Sequence, residues 1–126
     1  MERTFSERVA EAKAAVPSVS AREAHARMVN DPQTLFIDPR SAADIAATTG
    51  IIPGALNVTL KELSDASDEA LPRQLASRTR PIITACQGGP MGALAAHALK
   101  QRGFHNISFV DGGTQGWLDA GYATMR

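Results

Sequence analysis

The chain has 126 residues, 44% of them apolar, with 13 Lys plus Arg against 13 Asp plus Glu. One domain of this size buries about two-thirds of the surface its unfolded chain exposes, so no metal or disulfide is required to complete a core. Zero net charge gives no electrostatic footprint for nucleic acid or an anionic membrane, and a lone cysteine excludes an internal disulfide and any zinc site of several thiolates.

Residues 1–16 alternate Glu2, Glu7 and Glu11 with Arg3, Arg8 and Lys13, and contain no apolar segment. That pattern argues against a secretory signal or a transit peptide. Phe5, Val9 and Ala12 fall on one face of a helix over residues 5–15, which Pro17 ends. Ser20 with Glu23 forms a capping-box pattern, predicting a helix over residues 21–29 that Asn30-Asp31-Pro32 closes. Residues 33–37 are a short apolar run, a buried strand. Ser41 with Asp44 caps a short helix through Ala47, and Gly50 ends it. Pro53-Gly54 makes a turn before a brief strand over residues 55–58.

Residues 60–63 and 68–75 each suggest about two helical turns. Residues 81–85 are apolar and β-branched, a central strand with Cys86 at its carboxyl end. Residues 91–102 form a helix with Leu94, Ala95, Ala98 and Leu99 on its apolar face and Gly103 after it. Its mildly apolar run, residues 92–99, contains His97 and stops at Lys100, far short of the roughly 20 residues a membrane span needs. Residues 107–110 are a buried strand. Thr114 is expected to cap a last helix through Ala120. Strands alternating with helices predict an α/β fold, a mostly parallel central sheet with helices on both faces. Ligands of such sheets bind beyond the carboxyl ends of the strands.

Residues 82–93 read Ile-Ile-Thr-Ala-Cys-Gln-Gly-Gly-Pro-Met-Gly-Ala. A strand delivers the Cys86 thiol into a loop of Gln87, Gly88 and Gly89, and the loop feeds a helix at Pro90, Met91 and Gly92. Glycines let backbone N–H groups turn inward, and a helix start favours negative charge. That setting favours the thiolate, the form that attacks. A buried structural cysteine before an ordinary strand-to-helix loop is the bland alternative.

Four segments together resemble the single-domain rhodaneses, a sulfurtransferase family. Residues 35–40, Leu-Phe-Ile-Asp-Pro-Arg, resemble a strand ending in Asp-Val-Arg. Residues 50–57, Gly-Ile-Ile-Pro-Gly-Ala-Leu-Asn, resemble Gly-His-Ile-Pro-Gly-Ala-x-Asn. Cys86 to Ala96 resembles the active loop and its Ala-rich helix, and Asp111-Gly112-Gly113 with Trp117 resembles the C-terminal Gly-Gly…Trp element. The resemblance spans about Ser18 to Tyr122. It divides the chain into a helical extension, residues 1–16, and a rhodanese-like domain, residues 17–126.

The resemblance implies a persulfide on Cys86, loaded by a small-molecule sulfur donor and unloaded by cyanide or a thiol, a protein thiol included. Loop N–H groups from Gln87 to Gly92 would cradle the added sulfur, with no metal or organic cofactor. The family loop usually reads Cys-x-x-Gly-x-Arg-Ser. Met91 stands at the Arg position, so thiosulfate activity is expected to be weak, and Gly92 stands at the Ser position. Related tyrosine phosphatases carry a loop one residue longer that ends in Arg; Gly92 stands there too. The alternative is a non-catalytic module that binds a partner or an anion through the loop.

Asp38 and Arg40 follow a strand end on the side of the loop. Their plainer role is to cap a turn and to form an ion pair. Trp117 is expected in the core or in a pocket wall. His25, His97 and His105 show no metal-ligand spacing, and His97 is expected on the partly buried face of its helix. The overall expectation is a cytoplasmic protein with a free thiol and no nucleic-acid or membrane partner.

Overall fold

The computed structural model describes residues 3–126; Met1 and Glu2 of the expected extension lie outside the described residues. The chain runs α1 (Phe5–Ala15), β1 (Ser18–Val19), α2 (Ala21–Asn30), β2 (Leu35–Asp38), α3 (Ala42–Ala47), β3 (Leu56–Asn57) and α4 (Leu60–Asp65). It continues with β4 (Ile82–Thr84), α5 (Pro90–Gln101), β5 (Ile107–Val110) and α6 (Gly113–Asp119). The five strands form one sheet in the order β1-β5-β4-β2-β3, and every pair is parallel. Isolated from it, Ile51 bridges Met125 in antiparallel fashion.

Side chains alternate across a strand, so β2, β4 and β5 each feed two cores. Leu35, Ile37, Ile82, Ile107 and Phe109 pack with Ala12, Leu63, Leu94 and Leu99 under α1, α4 and α5. Val19, Phe36, Ile83 and Val110 pack with Ala24 and Trp117 under α2 and α6. The predicted apolar face of α5 is buried, and Ala93 and Ala96 are buried with it, because α1 and α4 cover the side away from the sheet.

Three local expectations are corrected. The Ser20 hydroxyl accepts from Glu23 N–H at 3.1 Å, but the Glu23 carboxylate turns to Arg27 at 2.9 Å, leaving half a capping box. Residues 68–75 form two 3-10 turns, Asp68–Ala70 and Arg73–Leu75. Pro72 separates them, since the residue before a proline is driven to extended backbone, as Leu71 is at φ −78°, ψ 155°. Thr114 is not a cap: Gly112, at φ 81°, precedes α6, and Thr114 is buried inside its first turn. Strand β1 has only two residues, Ser18 and Val19, and adds a strand to those expected.

Candidate active site

Strand β4 is central, and its end is fixed by Ala85 N–H donating to Ile37 C=O at 2.9 Å. Cys86 follows, only 3% exposed, and its sulfur accepts from Gly89 N–H at 3.0 Å. Gly89 adopts φ 122°, a conformation that side-chain-bearing residues rarely take. Pro90 occupies the first turn of α5, where a missing N–H costs nothing. The Thr84 hydroxyl donates to Gly92 C=O at 2.6 Å and draws that turn onto the strand. A Cβ at Gly92 would lie 3.3 Å from Cys86 N, so glycine at this position permits the close approach.

Helix α6 braces the loop from the other side. Its first N–H groups need acceptors. Thr114 N–H donates to Cys86 C=O at 2.6 Å and Gln115 N–H to Gln87 C=O at 3.0 Å, in place of a capping side chain. A Cβ on Gly113 would fall 2.6 Å from Cys86 O and 2.7 Å from Gln87 O. The Gly-Gly pair is therefore the contact between α6 and the cysteine loop.

Arg40 and Asp38 form a buried, two-pronged ion pair. Arg40 Nε lies 3.0 Å from Asp38 Oδ1, and a terminal nitrogen lies 2.7 Å from Oδ2. The guanidinium also donates to the hydroxyls of Thr48 at 3.0 Å and Thr49 at 2.9 Å, and to Gly50 C=O at 3.2 Å. Asn57 donates its amide to the carbonyls of Asp38 at 3.1 Å and Arg40 at 2.6 Å. The Asp-Pro-Arg turn and the Gly…Asn element are thus tied to each other through Arg40 and Asn57.

The cleft over Cys86 has a volume of about 480 Å³. Gln87, Gly88, Pro90 and Met91 line it, as do Arg40, Asp44, Thr48 and Phe5. Arg40 therefore reaches the cleft, and Asp38 holds Arg40. Trp117 does not reach it: the ring is buried beside Phe36 and Tyr122, and Nε1 donates to Ala123 C=O at 2.9 Å. Phe5, Asp44 and Thr48 are not expected at a site from the sequence: Phe5 reads as a helix face, Asp44 as part of a cap, and Thr48 carries no signal.

Histidine stays away from the sulfur. His25 stacks on Tyr122 with ring centroids 4.1 Å apart, and half-buried His97 lines a groove between α1, α4 and α5. Among the described residues no group of three His, Cys, Asp or Glu side chains could hold a metal, and no helix is long and apolar enough to cross a membrane.

A thiol beyond a central parallel strand, held in a glycine loop at a helix start, defines a cysteine-loop α/β domain. The family model described as a rhodanese-like domain matches residues 20–120, and the chain belongs to that family. It is 31% identical over 114 residues to the human thiosulfate:glutathione sulfurtransferase, covering 84% of this chain and 96% of that protein. It is 29% identical over 109 residues to the adenylyltransferase and sulfurtransferase MOCS3 of Drosophila persimilis, covering 85% of this chain but only 24% of that protein. Among solved structures, a Rhodopseudomonas palustris protein of unknown function, described as a possible tyrosine phosphatase, superposes with a TM-score of 0.85 at 25% identity. The match covers 99% of this chain and 96% of the other.

Proposed function

We propose that the chain is a sulfurtransferase or persulfide carrier working through Cys86. The observation that carries this reading is the Cys86 sulfur, at the foot of an open cleft, accepting the Gly89 N–H at 3.0 Å. That N–H is placed to donate to the sulfur both before and after a second sulfur is added. The Cys86 thiolate attacks the outer sulfur of a small-molecule donor. A new S–S bond forms, and the donor's S–S bond breaks with its electron pair on the leaving thiolate or sulfite. A thiolate, from a small molecule or a protein, or cyanide then takes that sulfur and returns the pair to Cys86. The balance closes without a metal or organic cofactor. Residues 17–126 make up the domain that does this, residues 1–16 extend it, and a reducing, cytoplasmic setting would keep the thiol free.

Phosphatase chemistry, the possibility raised for the R. palustris protein, finds no support at this loop. A phosphoryl transition state needs cationic stabilisation, whereas Met91 and Gly92 supply none and Arg40 is neutralised by Asp38. Intact-mass spectrometry after incubation with a polysulfide tests the proposal. The chain should gain the mass of one sulfur atom, lose it to added thiol, and gain nothing as Cys86→Ser. Absence of sulfur uptake from polysulfide, thiosulfate and a low-molecular-weight persulfide alike would overturn transfer and leave a binding module.

A further inference from the structure

The family model starts at residue 20, after α1, and the transfer reading gives that helix no task. Its placement supplies one. Helices α1 and α5 pack side by side. Lys100 Nζ, near the end of α5, donates to Ala15 C=O, at the end of α1, at 2.7 Å. At the opposite ends, Phe5 of α1 and Pro90 and Met91 of α5 line the Cys86 cleft together. Ala12 and Val16 anchor the helix in the core, yet Phe5 remains 56% exposed. A single exposed aromatic is ordinary. This one adjoins Pro90 and Met91 at the mouth above a thiol, where its face can be covered by whatever the thiol reacts with. One side-chain charge lining that mouth lacks an ion-pair partner among the described residues, and it is negative. Asp38 neutralises Arg40, while Asp44 is exposed and makes no ion pair among the described residues.

We propose that Phe5, together with Met91, selects the sulfur compound that reaches Cys86: a thiol or persulfide whose sulfur sits on an aryl or alkyl group with no anion beside it. This rests on the transfer reading above. The Phe5 ring covers the apolar group of the incoming thiolate, and Asp44 repels a sulfonate or carboxylate in its place. The thiolate attacks the outer sulfur of the Cys86 persulfide. A new S–S bond forms, the bond to Cys86 Sγ breaks with its electron pair on Sγ, and the proton on the outer sulfur leaves with the product persulfide. Phe5 shapes binding and takes no part in bond making.

The test compares transfer from the polysulfide-loaded chain to benzyl mercaptan and to 2-mercaptoethanesulfonate. Phe5→Ser should lower kcat/KM for benzyl mercaptan about ten-fold, the scale of a lost apolar contact in a pocket, and change the sulfonate by less than about two-fold. Phe5→Leu should restore most of the difference. Val29→Ser, at an exposed apolar residue of α2 outside the cleft, should alter neither. Alkylation of Cys86 by N-benzyl iodoacetamide and by iodoacetate reads the same preference without sulfur transfer, and Phe5→Ser should narrow that ratio too. Equal losses for both acceptors, or an unchanged alkylation ratio, overturn the role of Phe5. A chain that takes up no sulfur but keeps a Phe5-dependent alkylation ratio supports selection at the rim and overturns transfer.

Discussion

At the scale of single residues, the proposed transfer reading makes position 91 the test of how the cleft treats an anion. Met91 lies half-buried on the cleft wall and offers neither charge nor donor. A thiosulfate donor carries a sulfonate beyond the sulfur being passed, and nothing uncommitted meets it there. An arginine in this place would add a charge-assisted contact of roughly 1.5–3 kcal/mol. That corresponds to about one to two powers of ten in rate. Met91→Arg should therefore raise kcat/KM for thiosulfate at least several-fold, and added salt should erode the gain. A neutral persulfide donor should respond far less. Equal gains with both donors would place the effect on the loop instead, and no gain with either would mean that position 91 does not face the donor.

At the scale of elements, capping controls the helix that carries Phe5. Thr4 and Glu7 form a complete box: Glu7 N–H donates to the Thr4 hydroxyl at 3.1 Å, and Thr4 N–H donates to the Glu7 carboxylate at 3.0 Å. The backbone N–H of Thr4 first, and its hydroxyl second, hold the Glu7 carboxyl below its ordinary 4.5. A depressed carboxyl stabilises the fold above its unfolded value, and that contribution is lost as pH falls through the folded value. Glu7→Gln keeps the shape without the charge. Its melting temperature should lie slightly below wild type at about pH 6 and converge on it as pH falls through the folded carboxyl's value, the gap staying small because the group is exposed. A gap that persists in acid would show that the charge is not what matters.

Elements were legible in the sequence where their signals are local. Strand β5 shows as Ile107, Phe109 and Val110 within four residues, and α3 by Ser41 accepting Asp44 N–H at 3.2 Å. Strand β1 is defined by partners far along the chain: Phe109 N–H donates to Pro17 C=O and Asp111 N–H to Val19 C=O. No window of sequence contains that. The start of α6 misled for a similar reason, its acceptors being loop carbonyls rather than its own threonine. The cysteine loop was readable because residues 86–92 are contiguous. Its far walls, Phe5 from α1 with Asp44 and Thr48 around α3, come together only by folding, and Trp117 joined the motif without joining the cleft.

At the scale of the whole molecule, the buried charge pair ties the sheet to the site. Asp38 ends β2 at the carboxyl edge, and Arg40 links it to Thr48, Thr49 and Gly50. That segment is in turn held by the C-terminal tail: the Thr124 hydroxyl donates to Thr49 C=O at 2.6 Å, and Arg126 to Thr48 C=O at 2.6 Å. The Arg40 guanidinium therefore joins the sheet to the Thr48–Gly50 segment, and the tail holds that segment through Thr124 and Arg126. Both side chains of the pair are no more than 4% exposed. Taking away one partner of such a pair leaves an uncompensated buried charge and costs about 3–5 kcal/mol. Arg40→Met should lower the urea midpoint by that measure and loosen the wall, so that sulfur transfer falls even where the variant remains folded. Asp38→Asn with Arg40→Met removes both charges and should recover part of the stability, because no lone charge is left inside. It should not recover transfer, since Thr48 to Gly50 would still lack their tie to β2. Full recovery of transfer in the double variant would show that the pair serves stability alone.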